Sequence, residues 1–125
     1  MKSKLSQILP FKINYPLGRK TWFGSGGKCF LFVKVKSSKQ LRLVMKMSNF
    51  FFPTLILGCG SNLLVRDGGF QGVVIKLVGD FIRIKFDEKK SILTIGSGVK
   101  DYDVSKFCVE NCITGFEFLS GIPGT

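Results

Sequence analysis

The chain has 125 residues and a net charge of +11, from 19 lysines and arginines against 8 aspartates and glutamates. This length accommodates one domain or two small lobes, and the 45% hydrophobic content is typical of a globular protein. The sequence contains no histidine, which excludes a histidine-dependent catalytic triad and a histidine-ligated metal site within the chain.

The apolar stretches and the cysteines predict the compartment. The first ten residues contain lysines but no apolar stretch long enough for a secretory signal, and Pro53 interrupts the most apolar region before it reaches the length of a membrane span. Cysteines occur without a C-x-x-C pair, and free thiols are typical of a reducing compartment; Cys108 and Cys112 would share one face of a helix. We expect a soluble, cytoplasmic protein with no membrane partner.

The charge is distributed unevenly. Residues 1–66 contain 12 basic and no acidic residues, whereas residues 67–125 contain 7 basic and 8 acidic ones, so the two parts carry +12 and −1. A nucleic-acid-binding surface is one interpretation, and attraction of a phosphorylated small molecule is another. Because the lysines are spread over predicted strand and helix faces without interleaved aromatic residues, solvated surfaces are the favoured interpretation, and no nucleic-acid partner is expected.

The first elements in chain order are a lead-in, a turn and a strand. Residues 1–18 are expected to be a loose lead-in, because Pro10 and Pro16 oppose a long helix. A glycine-rich turn follows at residues 24–27. Residues 30–36 are apolar and alternate at their end, which predicts a strand.

A helix and a second strand come next. Ser37 and Gln40 match a capping box, and apolar residues recur at helical spacing until the proline at position 53 ends the pattern. The short apolar run 55–57 predicts a buried strand. Residues 30–57 are therefore predicted to form one strand–helix–strand unit with parallel strands and a right-handed crossover.

The second half of the chain predicts a strand, a hairpin and a helix. The strand covers residues 72–77, and the alternating segments 82–86 and 91–95 predict an antiparallel hairpin with one buried face. An aspartate at position 101 or 103 could cap the following helix, whose apolar stripe should end near Gly115.

The candidate site is the turn Gly58-Cys59-Gly60-Ser61-Asn62, directly after the strand 55–57. Paired glycines allow close approach of the backbone to a ligand, and consecutive N–H groups in such a turn form an anion-binding concavity. Ser61 and Asn62 add a hydroxyl and an amide for phosphate oxygens. A dinucleotide fingerprint would need a third glycine where Leu63 stands, and a P-loop would need Gly-Lys-Ser/Thr. An ordinary tight turn between strands is the alternative interpretation.

The C-terminal stretch Gly121-Ile122-Pro123-Gly124-Thr125 is a second candidate contact. Its small residues and fixed proline suit close contact with a flat or phosphorylated ligand. The segment 116–119 before it has the composition of a buried run. A stop directly after these residues leads us to expect a truncated chain.

Four stretches in order and spacing resemble the UDP-N-acetylenolpyruvoylglucosamine reductase (UDP-N-acetylmuramate dehydrogenase) family, over about residues 19–125: Thr21-Trp22-Phe23 with Gly26-Gly27, the run from Leu57 to Ile75, Gly96-Ser97-Gly98, and the run from Gly115 to Thr125. The resemblance implies an α+β, two-lobed FAD-binding fold of the vanillyl-alcohol oxidase and p-cresol methylhydroxylase type, incomplete at its C-terminus. Residues 1–67 would be the N-terminal α/β lobe. Residues 68–125 would begin the second, α+β lobe, and the substrate-binding domain would be absent.

The resemblance also implies where FAD binds. The cofactor would lie between the lobes, with its pyrophosphate cradled by backbone amides of the 58–63 loop, Gly98 facing it from the second lobe and the C-terminal stretch lining the flavin. The family usually carries Gly or Glu where Cys59 stands, and a small thiol is compatible with binding by backbone amides. The implied cofactor-binding residues are Gly58, Cys59, Gly60, Ser61, Asn62, Leu63, Gly98, Gly121, Ile122, Pro123, Gly124 and Thr125.

The implied activity is the reduction of UDP-N-acetylenolpyruvoylglucosamine to UDP-N-acetylmuramate in peptidoglycan synthesis, with NADPH as hydride donor. The family's catalytic arginine, serine and glutamate lie beyond the Gly-Ile-Pro-Gly-Thr motif, so no catalytic residue and no metal ligand is assigned here. The chain is expected to be inactive alone, with the UDP-sugar as substrate of the full enzyme and a separate C-terminal chain as a conceivable partner. Another FAD-linked oxidoreductase of the same fold and a basic nucleic-acid-binding module are the alternatives.

Overall fold

The computed structural model describes residues 9–48 and 52–125. These residues contain six strands and two helices, joined by short 3-10 turns at 18–20, 79–82 and 117–121. In chain order the elements are β1 Phe11–Tyr15, β2 Cys29–Val35, α1 Ser38–Ser48, β3 Thr54–Leu57, β4 Phe70–Leu77, β5 Ile84–Asp87, β6 Ile92–Ile95 and α2 Asp101–Glu110.

Four strands form one sheet in the order β1-β2-β4-β3. β4 pairs in parallel with both β2 and β3, and β1 pairs antiparallel with β2. Val73, Val74 and Ile75 are consecutive and all buried, as expected for a strand inside a parallel sheet that is covered on both faces. The predicted parallel orientation of the strand–helix–strand unit is confirmed, but β4 lies between its two strands.

The sheet that contains β4 continues past the lobe boundary that the sequence predicted. That boundary placed residues 1–67 in one lobe and residues 68–125 in the other. Ile75 pairs with Val33 on β2 and with Ile56 on β3, so a boundary after residue 67 would separate β4 from both neighbours. The first sheet therefore extends to Leu77. The assignment of the two parts to FAD-binding lobes stays a prediction.

Both edge strands differ from their sequence predictions. The expected loose lead-in of residues 1–18 was wrong for residues 11–15, which form β1. Pro10 directly precedes this edge strand, a position that proline tolerates. Residues 55–57 do form a strand, as predicted, but its expected burial was wrong, because β3 is the opposite edge and Ile56 is 55% exposed, while Leu57 is buried.

The sheet separates two apolar clusters. Helix α1 covers one face, where Val44 packs with Val33, Val35 and Ile75. On the other face Leu17 and Val65 pack with the sheet residues Leu57, Phe32 and Val74, so residues outside the strands, rather than a helix, cover it. Because the loop after β3 forms part of this second cluster, its path is tied to the core of the sheet.

The predicted capping box of α1 is present in a shifted form. The N–H of Gln40 donates to Ser37 Oγ over 3.4 Å, as predicted. The Gln40 side chain accepts from the N–H of Lys36, 2.8 Å away, one residue before the usual position. The helix ends at Ser48, and the stretch between this residue and Pro53 includes residues 49–51, which lie outside the described residues.

The second structural unit consists of a hairpin and α2. β5 and β6 pair antiparallel, with Ile84 opposite Ile95, which confirms the predicted hairpin. Val104 and Cys108 of α2 form the core of this unit, with Ile84 and Leu93 of the hairpin packed against it. The 3-10 turn before the C-terminal stretch packs against α2, so the position of that stretch depends on this helix.

The structure of α2 differs from three expectations. Neither aspartate caps the helix, because its N-cap is Lys100 and Asp101 and Asp103 lie in the first turn, where carboxylates are favourable to the helix dipole. The helix ends at Glu110, before Gly115. Cys112 therefore lies beyond the helix and is exposed, whereas Cys108 is buried, so the two thiols do not share one helix face.

Candidate functional site

The 58–62 loop follows β3 at the carboxyl end of the parallel strands, the end at which open α/β sheets bind ligands. Gly60 is buried there with φ +74°, a conformation that favours glycine. A Cβ at this position would lie 3.2 Å from Thr21 Cα. Tertiary packing therefore also favours glycine at position 60, since the loop packs directly against the segment that precedes β2.

The protein holds two carbonyl groups of this loop from outside it. Trp22 donates its N–H to the Gly60 carbonyl oxygen over 3.0 Å, and Lys76 Nζ donates to the Gly58 carbonyl oxygen. Within residues 9–48 and 52–125, the N–H groups of residues 59–62 donate to no protein acceptor. Carbonyls held by the protein and consecutive N–H groups left for a ligand are what an anion-binding loop requires.

The C-terminal stretch contacts this loop directly. Ser61 Oγ donates to the Pro123 carbonyl oxygen over 2.9 Å, and Cys59 Sγ to the Gly124 carbonyl oxygen over 3.4 Å. A Cβ on Gly58 would lie 2.6 Å from Thr125 Oγ1. The two candidate stretches therefore meet across more than sixty residues of sequence. The Ser61 hydroxyl proton, expected to reach a phosphate, bonds the protein in this structure.

A first cleft lies along this contact. It has a volume of about 260 Å³ and is lined by residues 55–63 and 123–125. The resemblance assigns residues of both ranges to FAD. Asn62 and Leu63 belong to the first range, and the second is part of the C-terminal stretch. The cleft therefore gathers the loop and part of the C-terminal stretch around one space.

A second cleft lies beside the same stretch and has a volume of about 510 Å³. Its wall combines aromatic, basic and small residues: Trp22, Cys59, Lys76, Lys100, Tyr102 and residues 120–124. Trp22 is 69% exposed and Tyr102 is 59% exposed, so both rings are accessible. Aromatic surfaces next to ammonium groups suit a flat, anionic ligand.

Sequence reasoning missed Lys76, Lys100 and Tyr102 as residues of this region. A sequence signal existed for Lys76, because it is a single charge inside the apolar run 73–77 that forms a central strand. Lysine is almost never buried without a specific partner, so such a residue indicates a nearby acceptor or ligand. Lys100 and Tyr102 surround the start of α2 and carry no comparable signal.

Gly98, in the Gly96-Ser97-Gly98 stretch, does not reach either cleft. Gly98 donates its N–H to the Phe81 carbonyl oxygen over 2.8 Å, and its Cβ would lie 3.1 Å from the Leu77 carbonyl oxygen. Neither cleft is lined by Gly98. The structure thus brings together the 58–62 loop and the C-terminal stretch, and the contact of Gly98 with FAD stays a prediction.

The ammonium groups of Lys76 and Lys100 line the larger cleft, and the Asp101 carboxylate lies beside Gly124. In the described ranges, the ion pairs are Asp80–Arg83, Asp87–Lys90 and Lys106–Glu110, all with exposed side chains. None of them involves a residue of the clefts. Since residues 1–66 contain no acid, the potential near the loop favours an anionic ligand.

Buried thiols lie elsewhere. Burial raises the pKa of Cys29, although backbone hydrogen bonds at Cys29 and Tyr15 oppose the shift. Burial also raises the pKa of Cys108, with a further contribution from the Glu117 carboxylate. Across the described residues, no group of three or more cysteine, aspartate or glutamate side chains could hold a metal ion, and no helix is long and apolar enough to cross a bilayer.

Comparison with known proteins relates this geometry to a cofactor. The sequence model of the FAD binding domain family matches residues 31–125. UDP-N-acetylenolpyruvoylglucosamine reductases of Orientia tsutsugamushi and Rickettsia typhi are 42% and 44% identical to the chain over 117 and 115 residues. Each alignment covers 92% of this chain but only 39% and 38% of the relative.

A solved structure shows the same arrangement of elements. The UDP-N-acetylenolpyruvylglucosamine reductase of Thermus caldophilus aligns with a TM-score of 0.70 and 28% sequence identity. The alignment covers 93% of this chain and 38% of that protein. The α+β FAD-binding fold expected from the sequence is confirmed by this likeness and by the family match. The chain therefore belongs to the FAD binding domain family and is homologous to part of the UDP-N-acetylenolpyruvoylglucosamine reductases.

Proposed function

We propose that this chain binds FAD, with the pyrophosphate on the backbone amides of residues 59–62 and the flavin along residues 121–125. The observation that carries the proposal is the hydrogen bonding of the loop. Its carbonyls at Gly58 and Gly60 accept from Lys76 and Trp22, whereas the N–H groups of residues 59–62 donate to no acceptor among the described residues. The conformation of Gly60 supports it, because a side chain there would push the loop away from Thr21.

The chain's own residues would bind and orient the cofactor. FAD, when bound, supplies the hydride-transfer chemistry of a flavoenzyme. The bonds from Ser61 to Pro123 and from Cys59 to Gly124 would hold the two walls of the site at a fixed separation. The exposed Trp22 and Tyr102 rings offer apolar surface for the planar part of the ligand.

We further propose that this FAD site serves the reaction named in the relatives, the reduction of UDP-N-acetylenolpyruvoylglucosamine to UDP-N-acetylmuramate with NADPH. The chain spans 38–39% of the length of these relatives. Its proposed share of the reaction is to hold the flavin, and the UDP-sugar and the hydride donor would approach the cofactor there. The proposed place of action is the cytoplasm, where the peptidoglycan precursor is made.

A flavin titration of the purified chain tests the cofactor site. FAD, FMN and riboflavin are each titrated while flavin fluorescence and the visible spectrum are followed. We expect saturable binding of FAD with an affinity at least about tenfold above that of FMN, because FMN lacks the pyrophosphate that the amides would contact. A folded, monomeric chain that binds no FAD would contradict the proposal. Tight, steeply salt-dependent binding of a single-stranded oligonucleotide in its place would favour the basic nucleic-acid-binding module.

A further inference from the structure

Lys76 is a charged residue on a central strand. β4 lies between β2 and β3, and in their registers Lys76 is paired with Lys34 on one side and Leu57 on the other. Its chain neighbours Ile75 and Leu77 are buried, and Lys76 itself is half-buried. Removing part of a lysine from water costs free energy unless the ammonium finds acceptors or counter-charge.

The ammonium of Lys76 reaches the start of the 58–62 loop. Its Nζ donates to the Gly58 carbonyl oxygen, and the side chain lines the larger cleft together with Trp22 and residues 120–124. A lysine ammonium has three N–H donors and this bond uses one of them. Among the described residues no second acceptor bonds this ammonium, so two donors remain for acceptors that enter the cleft.

Lys34 adds a second positive charge beside it. Phe32 and Val74, two residues earlier on the same strands, belong to one buried cluster, so Lys34 and Lys76 share that face of the sheet. Like charges at paired positions of adjacent strands destabilise a sheet. In the part of the chain that the structure describes, no carboxylate lies within 4.0 Å of either ammonium. Neither ammonium is therefore ion-paired among these residues.

We propose that Lys76 positions the 58–62 loop for the FAD pyrophosphate and is the cation that the site offers to it. This inference rests on the proposed binding of FAD. The bond to the Gly58 carbonyl fixes the first peptide of the loop, and the peptides after it then present their amides to the ligand. The charge of Lys76, supported by Lys34, offsets the charge of the pyrophosphate. Binding of the anion would relieve the repulsion between the two ammonium groups.

Three variants of the purified chain test this assignment: Lys76→Met, Lys76→Arg and, as a control, Lys89→Met in the exposed β5–β6 turn. The dissociation constants of FAD and riboflavin are measured at about 0.05 M and about 0.5 M salt, because screening reports the electrostatic part of binding. We expect Lys76→Met to weaken FAD binding about tenfold or more and to reduce its salt dependence. Riboflavin, which has no phosphate, should change less than about twofold. Lys76→Arg should retain most of the affinity for FAD, and Lys89→Met should resemble the wild type.

A second variant keeps the test decisive if Lys76→Met does not fold. Lys34 is exposed, so Lys34→Met should fold, and we expect it to weaken FAD binding about two- to fivefold while riboflavin is unaffected. Unchanged FAD binding in Lys76→Met would overturn this inference and leave the proposed function standing. If Lys76→Met does not fold, unchanged FAD binding in Lys34→Met would do the same. Equal losses for FAD and riboflavin would also overturn it, because they would indicate a merely structural role. Absence of FAD binding in the wild type would overturn the proposed function as well.

Discussion

The backbone N–H of Trp22 lies 3.0 Å from the carbonyl oxygen of Gly60, and the hydrogen bond between them joins the segment before β2 to the loop after β3. These two segments are far apart in the sequence. Their contact holds a glycine-rich loop in one conformation without using any of the amides of residues 59–62. Rigidity at Gly60 is therefore compatible with amides that remain available to an anion.

Replacement of Gly60 by alanine should destabilise the chain by about 1–3 kcal/mol, because a left-handed conformation is strained for alanine and the Cβ would crowd Thr21. The free energy of unfolding in urea measures the loss. Gly68→Ala is the matched control, since a Cβ there meets nothing within 4 Å, and it should change stability by less than about 0.5 kcal/mol. Equal effects of the two substitutions would refute the prediction.

FAD should protect Cys59 from alkylation. Cys59 is half-buried and lines both clefts, whereas Cys112 is exposed beyond α2 and lines neither. Labelling with iodoacetamide, followed by peptide mass spectrometry, gives the rate at each thiol. We expect saturating FAD to slow the labelling of Cys59 at least about fivefold by steric exclusion while Cys112 keeps its rate. An unchanged Cys59 rate in the presence of bound FAD would place the cofactor elsewhere.

The central strand should be far more sensitive to truncation than the hairpin. Ile75 is fully buried between the sheet and α1, and Ile75→Ala should cost about 2–5 kcal/mol through lost burial and the cavity left behind. Ile92, on β6, is 52% exposed, and the same substitution there should cost less than about 1 kcal/mol. Urea unfolding of both variants measures the difference. A comparable loss at Ile92 would show that the hairpin contributes to the main core.

Alkaline pH should destabilise the fold through its buried thiols. Burial raises the pKa values of Cys29 and Cys108 above the reference value of 9.0, so the folded state keeps protons that the unfolded state releases. Their contribution is fully present below the unfolded pKa and is lost as the pH rises through the folded pKa. Each thiol can contribute up to about 1.4 kcal/mol per pH unit in that window.

Urea unfolding between about pH 8 and pH 10 tests this alkaline dependence. The wild type should lose more stability over that interval than the double variant Cys29→Ala, Cys108→Ala, whatever their difference at neutral pH. Cys112→Ala is the control, because this thiol is exposed in the folded state. Parallel pH profiles for the wild type and the double variant would contradict the prediction.

Local patterns in the sequence determined much of this protein. Apolar runs and alternation predicted the strands β2, β3 and β4 and the hairpin of β5 and β6, and the Ser37–Gln40 pattern predicted the start of α1. The paired glycines after β3 predicted a tight turn, and the buried, left-handed Gly60 agrees with that prediction. These features depend on residues close in sequence, where backbone preference and hydrophobic period act directly.

Only the tertiary structure decided the order of the strands and the composition of the site. A parallel strand has the same apolar pattern at the centre of a sheet as near its edge, so nothing local could place β4 between β2 and β3 or put β3 at the edge. That order brings Lys76 to the Gly58 carbonyl, and the packing of α2 brings Pro123 to Ser61. Contacts between residues this far apart arise from the competition among all ways of burying the apolar faces, which no short pattern records.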